Sequence, residues 1–178
     1  MLLNDQQTKF GHSFNKGQLQ LSLLRATYYP DIYPNIGINH IQYSLYPHSG
    51  DWKNGVWSES ENFNIPVYAT EPPSLALVKA HATKTNEDSL IIVSPSQIVM
   101  SGIKQAENGK NLIIRLAEVQ GKETSVTVSL PLEIKSASRV NIIEFPLETT
   151  EKPITSGKKI TVKIKPHEIL TLSAKLYN

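Results

Sequence analysis

The sequence predicts an all-β fold, an antiparallel β-sandwich of about ten short strands with long loops at one end. Apolar and polar residues alternate in several segments, as strands with one buried and one solvated face require. Turn signals such as Asn108-Gly109 and Lys16-Gly17 separate these segments. No long window keeps the apolar spacing of an amphipathic helix, so we predict no long helix.

Each predicted strand rests on its own pattern. Strict alternation of apolar and polar residues occurs at residues 19–23, 41–45, 126–130 and 160–164. Two continuous apolar runs, residues 90–93 and 112–114, predict either strands that are buried on both faces or the ends of strands. Further strands are predicted near residues 75–82, 97–104, 140–145 and 169–176.

Residues 28–73 differ from the rest of the chain. They hold more than half of the 11 prolines, both tryptophans and most of the 7 tyrosines. This composition predicts structured loops, which often carry function in all-β domains; alternatively, the aromatic residues only cover one end of the sandwich. We therefore interpret residues 1–178 as one β-sandwich domain, loop-rich at 28–73 and more regular at 74–178.

Composition excludes several classes of function. The net charge is only +2, whereas nucleic-acid binding needs a concentrated basic face. The absence of cysteine excludes disulfides, thiolate metal sites and cysteine nucleophiles. No apolar run is long enough to span a membrane. These observations favour a cytoplasmic location and exclude nucleic acid and membrane as expected partners.

The residues alone indicate no active site. The 5 histidines are widely spaced, and no Gly-x-Ser-x-Gly elbow or glycine-rich phosphate loop occurs. The carboxylates of the loop-rich half stand beside prolines, glycines or polar residues, which suits turn capping as well as catalysis. We therefore predict no catalytic residue and no metal ligand in this chain, and interpret it as a binding or scaffolding module.

A distinctive order of motifs then suggests a family. The motifs are Leu3-Asn4-Asp5, Lys9-Phe10-Gly11, Leu21-Ser-Leu-Leu-Arg25, Pro30-Asp31, His40-Ile-Gln-Tyr-Ser-Leu-Tyr-Pro-His-Ser-Gly-Asp-Trp52 and Asn64-Ile-Pro66. Together they resemble the C-terminal β-domain of family 38 glycoside hydrolases, the α-mannosidases, and above all their cytosolic and microbial branch. Residues 98–118 and 168–172 resemble later parts of the same domain. Phe10 and Ala117 replace common tyrosines, but no charged motif residue is lost.

The resemblance implies a zinc-dependent, retaining α-mannosidase that hydrolyses terminal α-linked mannose. In that family the nucleophile and the zinc ligands lie in an N-terminal barrel. We therefore expect this chain to be a fragment of a longer enzyme, inactive alone and without bound zinc. The expected partners are the enzyme's own N-terminal catalytic domain and an α-mannoside substrate, and a homo-oligomer is possible.

The resemblance also implies that loops of this domain reach the rim of the sugar site. The candidates are Asn4, Asp5, Lys9 and His48, which can hydrogen-bond sugar hydroxyls, while Trp52 or Trp57 could stack on a sugar ring. For each of them, packing between domains or turn capping is the alternative role. We further expect an exposed apolar patch around residues 28–57, where the barrel would pack.

Two other functions stay open. The chain could be a free-standing carbohydrate-binding β-sandwich, which would bind mannose without a partner. It could also be a structural or oligomerisation domain that has no contact with sugar.

Overall fold

The structure is a computed structural model that describes residues 1–5, 11–24, 29–30, 32–33, 36–65, 90–149 and 151–177. The chain divides into two compact units, Met1–Leu75 (unit 1) and Ala76–Asn178 (unit 2). The strand predicted near residues 75–82 lies outside the described residues. The interpretation of residues 1–178 as one domain stays a prediction.

Unit 1 contains short strands and a short helix. Its described elements are β1 (Leu2–Asn4), β2 (His12–Asn15), β3 (Gln18–Leu21), β4 (Tyr43–Leu45) and α1 (Val56–Asn64). Strand β1 pairs antiparallel with β4, and β2 pairs antiparallel with β3. Lys16 and Gly17 both adopt positive φ angles, of 48° and 78°, which lets a two-residue turn join β2 to β3.

Unit 2 is the β-sandwich that the sequence predicts. Its described strands are β5 (Ile92–Ser94), β6 (Ile98–Gln105), β7 (Leu112–Glu118), β8 (Thr124–Ser129), β9 (Ile134–Val140), β10 (Ile154–Ser156), β11 (Lys159–Ile164) and β12 (Ile169–Leu176). They form two four-stranded antiparallel sheets, with the strand orders β10-β11-β8-β5 and β6-β7-β12-β9. The all-β prediction is confirmed.

The core of unit 2 lies between these two sheets. One sheet contributes Val126, Val128 and Ile160, and the other contributes Ile114 and Leu172, all of them with no exposed surface. The alternation predicted at residues 126–130 and 160–164 is thus confirmed, because the apolar positions are buried and the intervening ones are more exposed.

Strand β7 is buried on both faces, as its continuous apolar run predicts. Ile114 belongs to the main core, whereas Ile113 belongs to a second cluster with Ala106 and Val140 on the other face of the sheet. Successive side chains of a strand point to opposite faces, so neighbouring isoleucines pack into different clusters.

The structure narrows one strand prediction in unit 2 and corrects another. Residues 90–93 fit the strand-end alternative and not burial on both faces, because β5 begins at Ile92, lies at the edge of its sheet and leaves Leu90 and Ile92 exposed. The strand predicted at residues 140–145 lies earlier, in β9, and a turn follows it. Asn141 forms this turn, since its Oδ1 accepts hydrogen bonds from the backbone N–H groups of Ile143 and Phe145.

The pattern of burial in unit 1 also differs from the prediction. Strands β3 and β4 lie where alternation predicts them, but Tyr43 and Leu45 are 56% and 66% exposed. The described sheets of this unit have only two strands each, and neither belongs to a hydrophobic core cluster in the described part of the chain. Strand β4 therefore has the predicted apolar face, but no described core cluster packs against that face.

The loop-rich stretch at residues 28–73 contains the helix α1, which the sequence pattern does not predict. The helix has nine residues and buries only Val56, so its sequence shows no sustained apolar stripe. In the described residues, the structure has no helix that is long and apolar enough to cross a membrane.

Candidate functional site

Asn4 and Asp5 lie at one end of the β1–β4 pair. Asn4 pairs with Tyr43, and its backbone carbonyl accepts a hydrogen bond from Asn64 Nδ2 at 3.2 Å. Asp5 continues the pairing with Gln42 through two hydrogen bonds. The Asp5 backbone N–H donates to the Gln42 carbonyl oxygen at 3.0 Å, and the Gln42 backbone N–H donates to Asp5 Oδ2 at 2.9 Å. Asp5 thus has a structural role at this position.

His48 lies beyond the other end of the same pair of strands. Its ring stacks on the ring of Tyr46, with centroids 5.8 Å apart, and Nδ1 lies 3.3 Å from the carbonyl oxygen of Ser49. Tyr46 is fixed in turn by two hydrogen bonds of 2.8 Å with the backbone of Met1. His48 is half-buried on this support.

The turn after His48 is closed by its own polar residues. Asp51 Oδ1 accepts a hydrogen bond from the backbone N–H of Lys53 at 2.9 Å, and Asn54 Nδ2 donates to the Ser49 carbonyl at 3.2 Å. Gly55, with φ 80°, then precedes α1. The motif from His48 to Trp52 therefore serves as a well-defined connection between β4 and α1.

The candidate rim residues do not come together at one point. Asn4 pairs with Tyr43, whereas Met1 pairs with Tyr46 just before His48. Three residues of strand separate these two levels, about 10 Å at roughly 3.3 Å per residue. Asn4 and Asp5 thus lie at one end of the paired strands and His48 beyond the other. Lys9 lies outside the described residues.

Several apolar and aromatic side chains are exposed in unit 1. Trp52 and Trp57 are each 42% exposed, and Lys53 Nζ lies 5.6 Å from the centroid of the Trp52 ring. The other large exposed side chains between residues 28 and 57 are Tyr29, Ile32, Tyr33, Ile36, Ile38, Tyr43 and Leu45. Exposed apolar side chains thus occur in the region where the sequence predicts a patch, and their union into one continuous patch stays a prediction.

Unit 2 has a buried carboxylate that is not among the candidate site residues predicted from the sequence. Glu118 is 3% exposed at the end of β7, and its oxygens accept hydrogen bonds from the backbone N–H groups of Gln120, Gly121 and His167 at 2.7–3.0 Å. Burial by itself would raise the pKa of Glu118, but these backbone donors together lower it below its usual range. Glu118 therefore ties two turns together as an anion.

A second charged cluster holds the turn that follows β9. The Glu144 carboxylate accepts a hydrogen bond from the backbone N–H of Glu107 at 2.7 Å and pairs with Lys104 Nζ at 2.7 Å. Hydrogen bonds to Glu107, which has the larger effect, and to Glu144 raise the pKa of the Lys104 amine. Lys104 in turn lowers the pKa of Glu144. Arg115 adds a 2.9 Å hydrogen bond to the Ile142 carbonyl.

Arg139 is the buried cation of unit 2, with 7% of its surface exposed. Its guanidinium donates to Glu168 Oε1 at 2.7 Å, to Glu151 Oε2 at 3.4 Å and to the backbone carbonyl of Lys163. Its position in β9 places it beside a cleft of about 560 Å³. Arg139 gives no sequence signal, because its partners come from distant parts of the chain.

The structure offers no metal centre in the residues that it describes. No group of three or more histidine, aspartate or glutamate side chains lies close enough to hold an ion there. Glu118 and Glu144 accept hydrogen bonds from backbone donors, and His167 contributes its backbone N–H to Glu118. These carboxylates thus act as structural anchors.

The sequence of unit 2 matches the model of a known protein family. Residues 97–172, which run from the residue before β6 to the middle of β12, match the model of the glycosyl hydrolases family 38 C-terminal beta sandwich domain. The matched segment contains Glu118 and Arg139 and most of both sheets of unit 2.

Curated relatives match nearly the whole chain. The chain is 32% identical to "Alpha-mannosidase G" of Dictyostelium discoideum and 29% identical to "Alpha-mannosidase 2C1" of Homo sapiens, in each case over 96% of its length. "Alpha-mannosidase" of Saccharomyces cerevisiae is 24% identical over 94% of the chain. The chain spans only 15% of the first relative and 16% of the other two. The resemblance expected from the motifs is confirmed, and residues 97–172 match the C-terminal beta sandwich domain of glycosyl hydrolases family 38.

Proposed function

We propose that this chain is the non-catalytic C-terminal part of a zinc-dependent, retaining α-mannosidase that hydrolyses terminal α-linked mannose. The observation that carries the proposal is the similarity to relatives named alpha-mannosidase, which covers 96% of this chain and 15% of the first relative. A chain of this kind supplies a small share of such an enzyme, and its carboxylates Glu118 and Glu144 serve as structural anchors.

Zinc belongs to the enzyme in this proposal and not to this chain. The described residues do not fit a zinc centre, because a catalytic site needs about three converging protein ligands and no such group occurs among them. The role of this chain in catalysis is to support and shape the site that another part of the enzyme provides.

The partner in this proposal is the catalytic domain of the same enzyme, and unit 1 supplies the contact. Its exposed patch includes Tyr43, Leu45, Trp52 and Trp57. Contiguous exposed apolar surface usually marks an interface, because leaving it in water costs free energy. A domain covering this patch would bury the apolar face of β4 that the alternating sequence provides.

Asn4, Asp5, Lys9 and His48 form the proposed rim of the sugar site. Asn4 and His48 remain better candidates than Asp5, whose carboxylate is engaged with the backbone of Gln42. The separation of Asn4 from His48 implies that they would contact different parts of a bound glycan. Substituting each residue by alanine in an active enzyme and comparing KM with kcat tests this assignment.

The proposal is tested with a chimaera. The part of the Dictyostelium discoideum relative that this chain matches is replaced by this chain, and hydrolysis of 4-nitrophenyl α-mannoside is measured. We expect activity well above that of the relative with the same part deleted, and no turnover by this chain alone. Robust turnover by the chain alone would contradict the non-catalytic role, and an inactive chimaera that still folds would contradict the supporting role.

A free-standing carbohydrate-binding module is the second candidate, favoured by the half-exposed Trp52 and Trp57. Both tryptophans lie in unit 1, so a sugar that stacks on either would change tryptophan fluorescence. Saturable quenching of the isolated chain by mannose would favour this candidate. The main proposal expects none, because only half of a composite site is present.

A cytoplasmic location and a homo-oligomeric enzyme belong to the same proposal. Fractionation of cells that express the enzyme tests the first, and light scattering of the purified enzyme tests the second.

A further inference from the structure

A cleft of about 560 Å³ in unit 2 has no role in the function proposed above. It lies beside β9, where Ala137 and Arg139 line one side, and the other side is supplied by Leu147, Glu148, Thr149, Lys152 and Pro153. Its volume falls within the roughly 300–1,000 Å³ typical of small-molecule sites. Alternation along β9 places Ala137 and Arg139 on the same face of the strand.

The charges around the cleft do not favour an ion. The Arg139 guanidinium is already paired with Glu168 and Glu151. Glu148 and Lys152, which carry opposite charges, also line the cleft. Two cations and three carboxylates leave one excess negative charge, which disfavours anions, while the two cations disfavour a metal ion.

The edge of β9 offers backbone hydrogen-bonding groups at this cleft. The Leu147 N–H donates to the Arg139 carbonyl at 3.2 Å, so the backbone polar groups of Arg139 point away from β12. In an antiparallel ladder, residues two apart share an edge, so the N–H and C=O of Ala137 point the same way. In the part of the chain that the structure describes, no hydrogen bond reaches these two groups.

This open edge is too short to take up a peptide strand. Leu147 occupies it on one side of Ala137, and on the other side the Ile134 N–H donates to the Gly157 carbonyl at 3.0 Å. Strand addition needs several alternate residues with free backbone groups. Ala137 alone offers one donor, its N–H, beside one acceptor, its C=O. This pair matches a small ligand that has two adjacent groups, each able to donate and accept hydrogen bonds.

We propose that this cleft binds a neutral, polyhydroxylated molecule through a pair of vicinal hydroxyls. One hydroxyl would donate to the Ala137 carbonyl and its neighbour would accept from the Ala137 N–H, since a hydroxyl does both. Lys152 and Thr149 provide further polar contacts, and Leu147 and Pro153 provide apolar surface for the carbon skeleton. The proposal does not depend on the α-mannosidase assignment, because it uses only unit 2.

Nuclear magnetic resonance of the ¹⁵N-labelled 178-residue chain tests the site with mannose as the probe and myo-inositol as a second polyol. We expect saturable shifts of the Ala137 amide with a Kd of about 1–10 mM, typical of a site with few hydrogen bonds. Lys152→Met should weaken binding about fivefold to tenfold. Lys158→Met is the matched control, because this exposed lysine lies outside the cleft, and it should leave the Kd unchanged.

Three results would overturn the proposed polyol site. Absence of a saturable Ala137 shift with both polyols up to about 100 mM overturns the site, and equal affinity of the Lys152→Met and Lys158→Met variants overturns its placement at this cleft. Saturable shifts of the same amide with glutarate, a dicarboxylate, overturn the ligand class. Tryptophan fluorescence and the activity of the chimaera report on unit 1 and on the enzyme, so failure of this inference is distinguishable from failure of the proposed function.

Discussion

The two units use the same alternating sequence pattern with opposite results. In unit 2, Val126, Val128 and Ile160 alternate with polar residues and are fully buried between two sheets. In unit 1, Tyr43 and Leu45 alternate with Ser44 and are more exposed than the serine between them. Alternation therefore specifies a strand with an apolar face, and a second layer decides whether that face is buried.

This difference separates the sources of stability from the sources of interaction. Unit 2 has its own core, so its apolar residues stabilise the fold of the isolated chain. Among the described residues of unit 1, only Leu3 and Val56 are buried apolar residues, so its remaining apolar surface is available for a partner. Substitutions in the two units should consequently affect different measurements.

The largest expected effect is the loss of a core side chain in unit 2. Leu172→Ala should lower the free energy of unfolding by about 3–4 kcal/mol, because Leu172 has no exposed surface and its removal leaves a cavity. Leu45→Ala in unit 1 is the matched control and should cost less than about 0.5 kcal/mol. Urea denaturation followed by circular dichroism measures both, and equal losses would contradict the comparison.

The next effect concerns the buried anion Glu118. Glu118→Gln should cost about 2 kcal/mol at neutral pH, because the backbone N–H donors lose a charged acceptor. The native pKa of Glu118 is below its unfolded value, so the stabilisation is present above the unfolded pKa and is lost as pH falls through the native pKa. The difference between wild type and variant should therefore shrink in acid.

Urea titrations at pH values between about 7 and 3 test this sign, because the unfolded-state pKa of glutamate lies near 4.3. Glu148→Gln, at an exposed glutamate, is the control and should show a smaller difference. A Glu118→Gln deficit that grows as pH falls would show that the charge is not what these donors stabilise.

A smaller effect is expected at the turn beside Glu118. Gly121 has φ +75°, and a Cβ there would lie 2.7 Å from His167 Nε2. Gly121→Ala should cost about 1–2 kcal/mol from the left-handed backbone, together with the displacement of His167. Gly109→Ala, at φ +69° with no atom within 4 Å of the added Cβ, should show the backbone cost alone. Gly121→Ala should therefore lower the free energy of unfolding more than Gly109→Ala does. Combining it with His167→Ala should remove this difference, and a difference that persists would show that His167 is not its cause.

The smallest effect on stability is expected on the exposed face of unit 1. Tyr43→Ser should change the free energy of unfolding by less than about 0.5 kcal/mol, yet it should lower the activity of the chimaera by weakening the domain contact. Tyr177→Ser is the matched control, since Tyr177 is similarly exposed in unit 2. Equal activity of the two chimaera variants would indicate that the partner does not cover this face.

Sequence patterns predict much of unit 2 because its core obeys local rules. The period of two places β8 and β11, and the continuous apolar run identifies β7 as buried on both faces. Glu118 could also have been found, since it continues the inward positions of Ile114 and Leu116 on β7. An acidic residue at such a position signals a buried, hydrogen-bonded carboxylate.

The candidate site is predicted less well, because its residues depend on contacts between distant segments. The motifs identify Asn4, Asp5 and His48 as candidates. Only the pairing of β1 with β4 shows that Asn4 and Asp5 lie at one end of these strands and His48 beyond the other end. The apolar residues at 142–145 suggest a strand, whereas Asn141 and Glu144 fix a turn through the distant Glu107 and Lys104.

By itself, the sequence determined the all-β class, most strands of the sandwich and the family, because alternation, turn residues and ordered motifs are local properties of the chain. The tertiary structure decided which apolar faces are buried, which groups pair with Arg139 and Glu118, and that no described residue hydrogen-bonds to the outward backbone edge at Ala137. The physical reason is that burial and hydrogen-bond satisfaction depend on which segments meet in space, and no local pattern carries that information.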